Sequence, residues 1–118
     1  MTWNVAVFET PQGGRPVAKF ITRLPVPLRA KLTRDIDLLE RFGLDLGAPY
    51  VKKLKGTSID LWELRTRRGS DQVRMLFTVI GDRSLILLHG FVKKARRVPR
   101  REIKTAERRF TRVARRMG

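Results

Sequence analysis

A chain of 118 residues with a net charge of +16 is long enough for one modest core and basic enough to demand a polyanionic partner. It contains no cysteine, which excludes disulfides and thiolate metal sites, and its one histidine makes no zinc site without carboxylates at suitable spacing. No apolar run approaches the ~20 residues that span a bilayer, and no signal peptide precedes the first strand, so the cytoplasm is the expected compartment and no membrane role is expected.

The first expected element is a strand over Trp3–Glu9, where Trp3, Val5 and Val7 alternate with Ala6 and Phe8. Thr10-Pro11-Gln12-Gly13-Gly14 breaks it. A helix over Arg15–Arg23 follows, with Val17, Phe20, Ile21 and Leu24 at helical spacing, and Pro25 ends it. A second helix runs over Pro27–Phe42. Its apolar stripe is Leu28, Leu32, Ile36, Leu39 and Phe42, with Lys31, Arg34, Asp35 and Arg41 off the stripe. Gly43 suits the C-terminal cap. The two helices are expected to form a hairpin that covers one face of a sheet. Gly47-Ala48-Pro49-Tyr50 reads as a loop. In the next stretch Lys52, Lys53 and Lys55 surround Leu54, which suits either phosphate binding or an ordinary exposed lead-in.

Residues 61–94 read as a three-stranded meander: Leu61–Arg67, Gln72–Ile80 and Ser84–Val92. Arg68-Gly69-Ser70-Asp71 and Gly81-Asp82-Arg83 supply the turns. In the first strand Trp62 and Leu64 point one way and Glu63, Arg65 and Arg67 the other. The second places Val73, Met75, Phe77 and Val79 on one face, with Arg74, Leu76, Thr78 and Ile80 on the other. The third is apolar on both faces, as a central strand should be, and His89 follows Leu85 and Leu87 in phase. A well-covered sheet that carries guanidinium and ammonium groups on one face is the feature to explain.

A last helix is expected from about Pro99 to Arg116, with a narrow seam of Ile103, Ala106, Phe110, Val113 and Met117 that docks on the chain's own core. Twelve basic residues and two acids follow Val92, which places +10 of the net charge there, including Lys93, Lys94, Arg96 and Arg97. That excess reads as a surface for RNA or a partner, although any one of these arginines can be plain solvated surface. The expected order is β-α-α-β-β-β-α, an α+β fold in one domain spanning residues 1–118.

The segments PYVKKLKG, LWELR, VRMLF and LLHGFVKKARRVPRREI together resemble the HigB branch of the RelE/ParE toxin superfamily, phage-derived toxin-like proteins of bacterial type II toxin–antitoxin pairs. The likeness runs from about Pro49 to Ala106. It implies a small, twisted, mainly antiparallel RelE-like sheet with a helical hairpin on one face and a basic cleft for RNA on the other. It implies a ribosome-dependent mRNA endoribonuclease, an mRNA interferase, that inhibits translation without a cofactor. It also implies a cognate helix-turn-helix, HigA-like antitoxin in a toxin–antitoxin hetero-oligomer. Carried over residue by residue, the family's basic positions fall on Glu63 and Arg65, on Arg74, on Lys93 or Lys94, and on Lys53 or Lys55. Many relatives place a tyrosine near the C-terminus. This chain departs from that, since its only tyrosine is Tyr50, and His89 is the substitute.

Metal-free RNA cleavage needs a deprotonated, aligned ribose 2′-OH, a stabilised phosphorane and a neutralised 5′-oxygen. Arginine's planar fork suits the phosphorane, so Arg65 and Arg74 take that task. Lysine's reference pKa of about 10.4 makes it a poor base unless neighbouring cations lower it, as Lys53, Lys55, Lys93 and Lys94 could do for one another. Arg65, Arg74, His89 and Lys94 are therefore the catalytic candidates. Lys53, Lys55, Glu63, Arg67, Lys93, Arg96 and Arg97 are the RNA-binding candidates. Two other readings fit the sequence: a ParE-like inhibitor of DNA gyrase, and a protein that binds RNA without cutting it.

Overall fold

The computed structural model describes residues 2–117. It shows an α+β fold built on one mixed five-stranded sheet of order β1-β5-β4-β3-β2. The strands are β1 (Asn4–Val7), β2 (Val51–Lys53), β3 (Trp62–Arg68), β4 (Asp71–Val79) and β5 (Ser84–Val92). The helices are α1 (Pro16–Arg23), α2 (Val26–Phe42) and α3 (Arg100–Met117), with a 3-10 turn at Gly43–Leu46. Every neighbouring pair is antiparallel except β1 with β5, which run parallel. The sheet has one strand more than the sequence suggests. Val51–Lys53 is too short to show alternation, and what makes it a strand is its pairing with Trp62–Leu64.

α1 and α2 lie against one face. Pro16 opens α1, where a missing N–H costs nothing, and Val17 is buried beneath it. Gly90 in β5 gives α1 its close approach: a Cβ there would sit 2.6 Å from the Phe20 ring. α2 buries Leu28, Leu32 and Leu39, but two positions differ from the stripe read in sequence. Phe42 is exposed, with the Arg41 guanidinium over its ring. Asp35, expected to face outward, is buried. Its carboxylate accepts a 2.8 Å hydrogen bond from the Thr66 hydroxyl of β3 and is paired with Lys31 at 2.8 Å. A charge can be buried there because both oxygens are satisfied, and the pair pins α2 to β3. Gly43 ends α2 at φ +56°, and a side chain there would overlap the Trp3 ring, so only glycine fits.

α3 covers part of the opposite face. Its seam docks as expected at Ile103 and Ala106, which are buried, and at Phe110 and Val113, which pack partly buried against the core; Met117 at its end is exposed. One local irregularity sets what lies beneath it. Phe77 of β4 pairs with Leu87 but Leu76 pairs with His89, so Leu88 is an extra residue in β5. Such a bulge reverses the alternation beyond it. His89 therefore leaves the face of Leu85 and Leu87 and joins that of Leu76, under α3. Sequence phase alone puts it on the wrong side of the sheet. No described helix is long and apolar enough to cross a membrane.

Candidate nucleic-acid interface

The face that α3 leaves uncovered is cationic. Cross-strand register aligns Glu63 with Leu76, Arg65 with Arg74 and Arg67 with Gln72, so one parity of β3 and β4 presents three arginines at the open end of the sheet. Two like charges directly opposite each other, Arg65 and Arg74, destabilise a sheet unless something compensates. The compensation is Glu63, whose side chain is only 2% exposed. Its Oε1 accepts a 2.8 Å hydrogen bond from Arg65 Nε. Its Oε2 lies 3.8 Å from Arg74 Nε, beyond hydrogen-bond range, and neither of these two atoms has another partner among the described residues.

Arg74 forms the floor. It is 4% exposed, and its guanidinium donates to Gln72 Oε1 at 2.7 Å and to the Val73 carbonyl at 3.3 Å. Burial draws its pKa below the ordinary arginine value. Glu63 opposes that shift, and Arg65 and Arg67 add to it. Arg65 is more open, with about a third of its side chain accessible. Past the end of β5 the chain passes over the same region, held by a 2.7 Å bond from the Lys93 amide to the Gln72 carbonyl. Lys93, Lys94 and Arg96 thereby join Arg65, Arg67 and Arg74 around an open cleft of about 730 Å³. Burial lowers the Lys93 pKa, Arg74 lowers it further, Glu63 opposes, and Arg65 and Lys52 add smaller reductions.

The cleft thus brings together six of the residues singled out in sequence, with Glu63 beneath them. It does not include the others. Lys53 pairs with Trp62 on the other parity, where its ammonium lies 5.3 Å from the Trp62 ring and 3.3 Å from Asp60. Lys52, which pairs with Glu63, is the lysine of that run on the cleft side. Lys55 and Arg97 are exposed and do not line the cleft. His89 lies outside it as well. Its Nε2 is 2.9 Å from Glu102, its Nδ1 is 3.4 Å from Arg109, and its ring stacks on Phe91. Nδ1 accepts from the guanidinium and Nε2–H donates to the carboxylate, the neutral tautomer.

That arrangement makes His89 a fastening for α3 with a definite pH signature. Burial lowers its pKa, Glu102 opposes, and Arg109 reinforces the lowering. Below about pH 6.5 the unfolded chain takes up a proton that the folded chain resists, so stability falls as pH drops through that value. The thermal midpoint should decline between pH 7 and pH 5, and His89→Gln should flatten that decline. An unchanged profile in the variant would rule His89 out as its source.

Several lining residues escaped the sequence reading. Ser70 and Gln72 line the main cleft. Tyr50 and Pro49, with Lys31, border an adjoining depression of about 280 Å³ that shares Arg65, Arg67 and Arg74. The signal for Tyr50 is its carbonyl, which accepts the Arg65 amide at 2.7 Å and continues the β2–β3 ladder by one residue. Among the described residues no group of three or more His, Asp or Glu side chains could hold a metal ion.

A family model described as "Phage derived protein Gp49-like (DUF891)" matches residues 19–111. No curated protein matches the chain.

Proposed function

The chain belongs to the phage-derived Gp49-like family of RelE-like, toxin-like proteins, which implies an antitoxin partner, and from that premise we propose that it is a toxin that cleaves mRNA on the ribosome. The observation that carries this reading is the cleft itself. Six cations surround one buried carboxylate at the open end of the sheet. A phosphodiester entering it meets two guanidinium forks at different depths, Arg65 partly accessible and Arg74 beneath, which suits a phosphorane carrying more charge than the ground state.

The reaction proceeds by attack of the ribose 2′-oxygen on the adjacent phosphorus. The new O–P bond forms as the bond to the 5′-oxygen breaks, leaving a 2′,3′-cyclic phosphate and a 5′-hydroxyl. Arg65 and Arg74 hold the non-bridging oxygens. Lys93, depressed by burial and by neighbouring cations, accepts the 2′-proton in its neutral form. Lys94 neutralises the departing 5′-oxygen. Arg67 and Arg96 position the flanking backbone. The ribosome supplies substrate alignment, which the shallow cleft does not. The antitoxin is a HigA-like helix-turn-helix protein that masks these cations.

The test is to add purified protein to translating ribosomes on a defined message and map the new ends by primer extension, beside ribosome-free message. Cuts that appear only with ribosomes and persist in chelator are expected. A message left intact on ribosomes while supercoiling by gyrase stops would replace this reading with a ParE-like one. The base assignment adds a pH dependence. Because Lys93 acts when deprotonated, single-turnover cleavage should rise as pH increases toward its lowered pKa. Lys93→Arg, which stays charged, should lose about 10²-fold or more in rate and with it that rise. A variant with the same slope as the parent removes Lys93 from the role.

A further inference from the structure

The cleft uses only the first part of the basic tail. Lys93, Lys94 and Arg96 reach it, but none of the cations on α3 does. On α3, Lys104, Arg108, Arg112 and Arg116 recur every fourth residue and so form one cationic ridge. Like charges at this spacing destabilise a helix. The two acids of α3 relieve them only in part: Glu102 is held by His89, while Glu107 accepts from the Ser58 amide and hydroxyl at 2.6 and 2.7 Å and also feels the charge of Lys104 at the start of the ridge. Arg116 also serves the fold, donating to the Glu9 carbonyl at 2.6 Å, but among the described residues Arg108 and Arg112 make no hydrogen bond or ion pair and are open to a ligand.

Beside it lies a groove of about 340 Å³ between α3 and the segment joining β1 to α1. Arg15, Lys19, Arg108, Arg109 and Arg112 line it, and it shares no lining residue with the cleft. Glu9 meets the groove residue Arg15 at 3.4 Å with both side chains more than half exposed, a weak, screened contact. Arg109 is tied down by a 2.8 Å bond to the Leu88 carbonyl, and its pKa is lowered first by burial and then by Arg108 and Arg112. The groove offers no exposed apolar anchor of the kind a protein partner needs: Phe8 is buried, with the Arg109 and Arg116 guanidinium groups over its ring. Four of its five cations are arginines, whose forks match phosphate.

We infer that this groove and the α3 ridge form a second site for the phosphate backbone of structured RNA, separate from the cleft. Two sites would let the protein grip a folded RNA through α3 while the cleft holds the strand to be cut. The binding inference does not depend on the cleavage chemistry.

The experiment measures binding of a labelled short RNA duplex at several salt concentrations, using Arg74→Ala protein so that no cleavage intervenes. Arg15→Gln, Lys19→Gln, Arg108→Gln and Arg112→Gln are combined in one variant. Arg23→Gln, Arg34→Gln, Arg41→Gln and Arg83→Gln are combined in another, which removes equal charge elsewhere. All eight residues are exposed, and circular dichroism checks that both variants fold. With about 0.9 counterion released per phosphate contact, the salt slope should fall by about 3 to 4 in the groove variant and by less than about 1 in the other. Equal slopes in the two variants overturn the inference and leave the ribonuclease reading standing. Polyglutamate that displaces the duplex as well as unlabelled RNA does would also overturn it, by marking the groove as a seat for an acidic protein segment.

Discussion

Replacing Arg74 by alanine is expected to reduce message cleavage by about 10²–10³-fold, the usual loss when one preorganised transition-state donor is removed, and to abolish toxicity on induction. The size of the effect follows from where the guanidinium sits. It is buried at the floor of the cleft, its orientation is set by Gln72 and the Val73 carbonyl, and little water remains to screen it. Arg74→Lys keeps the charge but loses the planar fork and should recover only part of the rate. Rates come from primer extension on stalled ribosomes, with urea unfolding run in parallel. Arg74→Ala protein that cuts at the parental rate would remove this residue from the site, and intact binding with lost cutting would place it in the chemistry.

Glu63→Gln is expected to be the most destabilising polar substitution in the sheet, at about 3–5 kcal/mol, because it leaves a buried guanidinium without its anion. Against a total of about 5–15 kcal/mol for a domain of this size, that loss should be plain in the urea midpoint. Among the described residues Glu63 is the only carboxylate paired with Arg65 and Arg74, whose side chains otherwise oppose each other across β3 and β4. The double replacement Glu63→Leu with Arg74→Leu removes both buried charges and should restore most of the stability while cleavage stays lost. A Glu63→Gln protein within about 1 kcal/mol of the parent would mean that solvent, rather than Glu63, compensates the arginines.

How far the site could be read in advance depended on the length and regularity of each segment. Glu63, Arg65 and Arg67 lie on one parity of a seven-residue strand, and Arg74 and Gln72 lie on the facing parity of a nine-residue one. Alternation over that length leaves one register that buries the apolar side chains, so the cationic face followed from sequence. The three-residue β2 has no such pattern. Whether Lys52 or Lys53 faces the cleft depended on pairing with β3, and a shift of one residue reverses the answer. Tyr50 reaches the arginines for the same reason, through a ladder contact that no local pattern encodes.

The order of the helices and of every strand but β2, the apolar stripes of α1 and α3, the meander turns and the basic excess were determined by the sequence itself, because each is a local periodicity or a sum over composition. The tertiary structure decided the rest. It chose a parallel partner for β1, and it inserted Leu88 as a bulge that turned His89 from the helical-hairpin face to the α3 face. It also buried Asp35 against Thr66 and divided the tail cations between the cleft and the α3 groove. Each of these depends on partners distant in the chain, and a bulge or a buried ion pair is stable only when its partner is in place.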